Sequence, residues 1–209
     1  MVPTDVTRPE ECARLVEAAV ARFGGLDVLV NNAGAGMIAR FEDITDLSVF
    51  EQLMRVNYLS CVYLTHHALP HLKKSGGQLV AVASLAGLTG VPTRTGYAAS
   101  KHAVFGFYDS LRIELAGTGV DVTVLAPDFV VSEIHERAAG PDGRPLGKSP
   151  MQETKIMTTE RCAALMVPAM ERRRRLLVMS LRGRVGRFVR LVAPGLIDGV
   201  ARRAVDRGR

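Results

Sequence analysis

Tyr97 and Lys101 stand four residues apart in the run Tyr97-Ala98-Ala99-Ser100-Lys101. On a helix that spacing puts both side chains on one face, about 6 Å apart along the axis. An unperturbed phenol titrates near 10, and work as an acid or base near neutrality requires a drop of about three units, roughly 4 kcal/mol. An ammonium about 4 Å away, at an effective dielectric near 20, supplies on the order of 4 kcal/mol. Such a pair suffices to move a proton to or from a substrate oxygen. Ser84 directly follows the apolar run Leu79-Val80-Ala81-Val82-Ala83. Its hydroxyl is expected at the carboxyl end of a strand, where it can hold a substrate oxygen as charge develops. Each signal alone has a plainer reading: a Tyr and a Lys at helical spacing also suit a solvated pair, and a strand-ending serine also suits a cap.

The elements that must position these groups follow from the hydrophobic pattern. Cys12, Leu15, Val16, Ala19, Val20 and Phe23 recur at spacings of three and four and mark one face of a helix over 8–23. Thr7 with Glu10 fits a capping box at its start, and Gly24-Gly25 fits its stop. Three short apolar runs follow, Leu26–Val30, Leu79–Ala83 and Val120–Ala126, separated by helical stretches over about 46–73 and 97–116. Strands buried on both faces read as continuous apolar runs, and helices between them imply right-handed crossovers. The pattern predicts an α/β fold with a doubly wound, Rossmann-like parallel sheet. Residues 127–158, richer in Pro, Gly and polar types, are expected as a long loop over the carboxyl ends of the strands, where such sheets bind ligands.

The 209 residues suit one domain, with 47% apolar and 23% charged residues, which excludes whole-chain disorder, collagen and coiled coil. No uninterrupted apolar run is long enough to span a bilayer, and Met1–Asp5 has neither part of a secretory signal. Cys12, Cys61 and Cys162 are odd in number and far apart, as expected of buried thiols in the cytoplasm. The net charge of +6 is uneven. Residues 171–209 hold twelve arginines against three acids and carry +9, while the other 170 residues, with 15 bases and 18 acids, carry −3. The division expected is a domain over 1–180 and a basic amphipathic tail over 181–209.

The joint order of motifs is more specific than any one of them. Asn31-Asn32-Ala33-Gly34 after one strand, Asn57 within a helix, Ser84 after the next strand and Tyr97-x-x-x-Lys101 thirteen residues later resemble the short-chain dehydrogenase/reductase family. The resemblance covers residues 2 to about 180, and Pro194-Gly195-Leu196 in the tail is similar to the hydroxysteroid-dehydrogenase-like branch. It implies an NAD(P)(H)-dependent oxidoreductase that interconverts a carbonyl and a secondary alcohol, with NADP slightly favoured. By the same resemblance Tyr97 is the general acid in reduction and the base in oxidation. Lys101 lowers its pKa and bonds the nicotinamide ribose, Ser84 holds the substrate oxygen, and Asn57 anchors a relay water. Asn31, Ala33 and Gly34 line the adenosine-ribose side, with Asn31-Asn32 bracing the sheet, and Asp5 beside Val6 meets the adenine. The segment Pro127 to Ser132, with Val130 inside it, contacts the carboxamide. Here the chain departs from the family, with Asp128 for a usual glycine and Ser132 for a usual threonine. The resemblance also implies a homodimer or homotetramer packed through the helices at 46–73 and 97–116.

The family's opening strand, Thr-Gly-x-x-x-Gly-x-Gly turn and helix, which grip the pyrophosphate, have no counterpart in these 209 residues. That reads as an N-terminally truncated domain, a fragment or a misplaced start. The expectations are an unpaired edge at Leu26–Val30, no sheet for residues 2–6 to join, weak or absent cofactor binding, and poor stability. The alternative is a catalytically inactive relative acting as a binding or scaffold module. Asp142–Ser149 nearly spells a phosphate loop, but no strand precedes it, and substrate-loop material is the better reading. His67 and His71, with His66 adjacent, lack a third ligand in sequence, so no metal site is expected. In the tail, Phe188, Val189, Leu191, Val192, Leu196, Ile197 and Val200 alternate with arginines. A helix broken at Pro194-Gly195 there suits an anionic membrane surface, or else docks on the body with its arginines solvated. Phe188 is the tail's lone aromatic residue, which argues against nucleic acid.

Overall fold

The apolar runs and helical periods become alternating helices and strands, described in a computed structural model for residues 1–206 apart from 153 and 155. Arg207 and Arg209 of the tail lie outside the described residues. Helix α1 (Pro9–Phe23) starts on a proline, which needs no N–H there, and stops at Gly24, φ +81°, whose N–H donates to the Val20 carbonyl. The expected Thr7–Glu10 box does not form. The helix begins one residue later, Arg8 takes the cap position with no side-chain bond, and the Asp5 carboxylate accepts from the Thr7 N–H and hydroxyl instead.

Next come β1 (Val28–Asn31), α2 (Ser48–Met54), a π-turn (Arg55–Leu59) and α3 (Ser60–Ser75), so that α2 to α3 is one continuous rod. Pro70 lies inside α3 and does not end it. It lies on the exposed side, where the carbonyl that it leaves unpaired can turn to water. After β2 (Gln78–Val82), α4 (Thr95–Glu114) and β3 (Asp121–Ala126), the loop over 127–158 leads into α5 (Thr159–Glu171) and β4 (Leu176–Val178).

The four strands are all parallel, in the order β1-β2-β3-β4, with Leu29 in register with Leu79 and Leu79 with Val122. Leu79, Ala81, Val122 and Val124 pack on α1, α3 and α4, while Val80, Leu125 and Leu177 face α5 through Cys162 and Ala169. That double burial is why the strand sequences are apolar without alternation. The expected edge is present: β1 has a neighbour on one side alone, and Val28 and Val30 are 42% and 44% exposed. Residues 2–6 join no strand, although Val6 packs against the core.

The tail forms α6 (Leu181–Val192) and α7 (Pro194–Asp206), broken at Ala193 just before Pro194. It docks through arginines that bond to the body yet remain exposed to solvent. Arg182 grips Asp128 in a fork, Nε to Oδ2 at 2.6 Å and Nη2 to Oδ1 at 2.7 Å. Arg184 donates to the Val178 carbonyl at 2.9 Å, and Arg190 to that of Leu88. Gly183 sits where a Cβ would stand 2.8 Å from the Leu85 side chain. The apolar side chains point outward, with Leu181 74%, Phe188 66% and Leu191 79% exposed.

Burial pushes the Asp128 carboxyl up, but hydrogen bonds from Arg182 and Ser180 outweigh it and hold the group below the usual carboxylate range. A depressed folded pKa contributes stability above the unfolded value, near 4, that is lost as pH falls through the lower folded value. With Arg182 largely in water, the pair is expected to contribute about 1 to 2 kcal/mol. An Asp128→Asn variant should therefore be less stable to urea than wild type at pH 7, and the gap should close between pH 4 and pH 2.5. Trypsin should also cut faster among Arg182–Arg190. A gap of the same size at both ends of that range would refute the latch.

Candidate active site

Ser84 ends the β2 run and caps a one-turn helix, Leu85–Gly87, its Oγ accepting the Ala86 N–H at 3.1 Å. That turn lies hard against α4. A Cβ on Gly87 would meet the Lys101 carbonyl at 2.6 Å and the Phe105 ring at 2.7 Å, so a residue without a side chain is required for the approach. On α4, Tyr97 is half-buried and Lys101 is 3% exposed. The Lys101 ammonium donates to the Val82 carbonyl at 3.1 Å and lies 5.8 Å from the Tyr97 ring centroid, within cation–π range. The ring thus turns toward the amine, and Tyr97, Lys101 and Ser84 line one cleft of about 560 Å³ at the carboxyl ends of β1, β2 and β3.

The loop after β1 is held by Asn57, fully buried in the π-turn. Its Oδ1 accepts the Ala35 N–H at 2.8 Å, and its Nδ2 donates to the Ala35 carbonyl at 3.0 Å and to Ser100 Oγ at 2.8 Å. A π-turn widens the helix and turns one extra side chain inward, which brings Asn57 to that loop. Both N–H donors of its amide are therefore occupied within the protein. Gly34 packs beside it, with a Cβ there 3.3 Å from Asn57 Oδ1 and 3.6 Å from Lys101 Nζ. Asn32, Ala33 and Gly34 reach the cleft. Asn31 turns the other way, its Nδ2 donating to the Tyr108 hydroxyl and to Thr65 Oγ1, so it braces the sheet against α3 and α4.

Asp5 and Val6 are not brought to the cleft. Asp5 borders a separate surface depression with Thr7, Ser48, Glu51, Gln52 and Arg55, and Val6 offers its carbonyl to the Cys12 thiol. Pro127, Asp128, Val130 and Ser132 do line the cleft, on a loop folded back by the Val130–Met157 bridge. The far wall went unread in the sequence: Thr159, Cys162, Ala163 and Met166 of α5, with Ile134 and His135. Cys162 and Met166 stand at helical spacing, which signals a packed face but no ligand. Burial pushes the Cys162 thiol up, so it stays protonated and serves as apolar lining. Ser100, which ties α4 to Asn57, has no distinguishing sequence signal. Among the described residues no group of three or more His, Cys, Asp and Glu side chains could hold a metal. No described helix is long and apolar enough to cross a membrane.

The profile of the short chain dehydrogenase family matches residues 1–141. A Dehydrogenase/reductase SDR family protein 7-like of Dictyostelium discoideum is 32% identical over 199 residues, 95% of this chain and 61% of its own. An 11-beta-hydroxysteroid dehydrogenase of Pinus massoniana is 33% identical over 204 residues, 95% of this chain and 57% of its own. The chain thus spans about three fifths of the length of these relatives. Among solved structures, an alcohol dehydrogenase from the archaeon Thermococcus sibiricus complexed with 5-hydroxy-NADP has a TM-score of 0.67 at 24% identity, covering 80% of this chain and 66% of that one. A Tyr-to-Phe variant of ElxO with NADPH bound has a TM-score of 0.59 at 32% identity, covering 62% and 52%. With its parallel sheet, its ordered Asn, Ser, Tyr and Lys and the profile match, the chain belongs to the short-chain dehydrogenase family and groups with its 11-beta-hydroxysteroid-dehydrogenase-like members.

Proposed function

We propose that the protein interconverts a carbonyl and a secondary alcohol with a nicotinamide cofactor, Tyr97 passing the proton. The observation that carries this is the meeting of Tyr97, Lys101 and Ser84 at one cleft, with the buried ammonium facing the phenol ring. Ser84 holds the substrate oxygen, and Tyr97 protonates it in reduction or deprotonates the hydroxyl in oxidation. Lys101 stabilises the phenolate that each turnover creates. The residues present fit the nicotinamide-ribose half of a cofactor. Gly34 leaves room beside Lys101, whose ammonium has donors beyond its bond to Val82, and the 127–132 loop walls the other side. When bound, the nicotinamide supplies or accepts a hydride at the substrate carbon. NADP is the favoured form, in keeping with the NADPH of the ElxO variant. Asn57 acts by holding Ala35 and Ser100, and assembly as a homodimer or homotetramer uses α2–α3 and α4.

We further infer that the 181–209 tail contacts an anionic membrane surface from the cytoplasmic side. The outward apolar face of α6 and α7, flanked by exposed Arg187, Arg202 and Arg203, supports this over a tail merely packed on the body.

In the full-length protein, Tyr97→Phe should lower turnover of carbonyl substrates at least a thousandfold while calorimetric NADPH affinity changes less than threefold. Unchanged turnover refutes the proton role, and absence of NADPH binding by wild type favours the scaffold reading. Wild type should float with phosphatidylglycerol-containing vesicles and not with phosphatidylcholine alone, and Phe188→Glu with Leu191→Glu should abolish flotation. Wild type that fails to float refutes this reading, and a double variant that dissociates into smaller oligomers makes the face a contact between copies instead.

A further inference from the structure

Tyr97 rides on a weakly secured helix start. It is the third residue of α4, and Arg94, at the cap position before the helix, makes no side-chain capping bond. The first N–H groups of a helix have no partner within it, so an uncapped end frays. Gly96 adds freedom to that turn, and its N–H is directed at the Met37 sulfur, a weak acceptor, at 3.2 Å. The glycine is required, because a Cβ there would stand 2.9 Å from that sulfur and from the Phe50 ring. Just upstream, Thr93 is held at φ +64°, in the left-handed region and strained for a β-branched residue. The local sequence therefore does little to fix the turn that carries the phenol.

The tie comes from one turn further on. Ser100 is fully buried, and its hydroxyl donates to the Tyr97 carbonyl at 2.8 Å. A bond back along the helix is ordinary for a serine. The other side of the same oxygen is not ordinary: it accepts from Asn57 Nδ2 at 2.8 Å, across 43 residues of sequence. Asn57 is itself clamped to Ala35 through both ends of its amide, and the Cys61 thiol donates to its carbonyl at 3.3 Å. A chain of hydrogen bonds thus runs from Ala35, beside Gly34, through Asn57 and Ser100 to the peptide of Tyr97. Lys101, the next residue, is held separately, by the Val82 carbonyl at 3.1 Å. Phenol and ammonium are therefore fixed by two independent anchors, and the Ser100 hydroxyl is the one on the phenol side.

We propose that Ser100 is a positioning residue for Tyr97, its hydroxyl holding the first turn of α4 so that the phenol stays against the Lys101 ammonium. Tyr97 and Lys101 line the cleft, while Ser100 lies behind them, out of its lining. It acts through the Tyr97 peptide and touches neither substrate nor cofactor. The support that an ammonium gives a phenolate falls with distance, so a loosened turn weakens the proton step and spares substrate binding. Removal of the hydroxyl also leaves a buried Asn57 N–H without its acceptor, which is costly. The proposal rests on the assignment of Tyr97 as the group that passes the proton.

Its test is the pH profile of Ser100→Ala in the full-length protein. For alcohol oxidation, kcat should fall about tenfold while KM changes less than about twofold. The rising limb of kcat against pH should move upward by about half a unit or more, because a less stabilised phenolate forms at higher pH. Ser100→Thr, which keeps the hydroxyl, should bring both back toward wild type. A merely structural serine lowers the melting temperature and the active fraction but leaves the limb in place. An unmoved limb in Ser100→Ala, or an equal displacement in Ser100→Thr, overturns the proposal. A second measurement needs no turnover: the ring NMR signals of Tyr97, assigned by their loss in Tyr97→Phe, should titrate at higher pH in Ser100→Ala than in wild type. That shift in a protein without turnover removes the proton role and leaves the positioning. Turnover that depends on Tyr97, with no shift, does the reverse.

Discussion

The Asn57 amide fastens three parts of the chain that would otherwise be independent: the loop after β1 through Ala35, the α2–α3 rod that carries it, and α4 through Ser100. Each bond is made with little or no water present, so each is worth more than its exposed equivalent and is costly to leave unmade. Ser100 lies between Tyr97 and Lys101, and its Oγ also donates to the Tyr97 carbonyl at 2.8 Å. The amide therefore sets the first turns of α4 relative to Gly34. A regular α-helix through 55–59 would rotate Asn57 away from Ala35, so the π-turn is a condition of the site.

Close approach does the remaining positioning. The turn after Ser84 reaches α4 because Gly87 has no Cβ, and α6 reaches the same turn because Gly183 has none. Lys101 is anchored to Val82 at the end of β2, the strand that also presents Ser84. Hydroxyl and ammonium thus share one rigid support, and preorganisation of this kind is what lets a charge act without rearrangement during reaction.

The fold was legible because its signals are local. Apolar runs of five to seven residues are too short for buried helices and too continuous for exposed strands, and the glycines at 24 and 76 both stop helices with positive φ. The meeting of Tyr97, Lys101 and Ser84 was legible from spacing and order. Asp5 lies apart from the cleft, in a short Asp-x-Thr turn whose carboxylate is taken up locally by Thr7. Ser100 is unreadable for a different reason: its partner Asn57 lies 43 residues away in sequence, and no local pattern encodes a contact of that range. The outward apolar face of α6 was hidden likewise: its alternation marks two faces but not which one meets the body.

Asp128 shows how one departure from a family pattern propagates. A glycine there would leave the loop after β3 free to follow the cleft. The aspartate instead takes four hydrogen bonds, from Phe129, Ser180 and twice from Arg182, and so ties the cleft wall to the start of α6. Arg182 in turn lies over the Phe129 ring, which Arg94 also approaches. The carboxylate thus joins the wall of the cleft to the start of the tail.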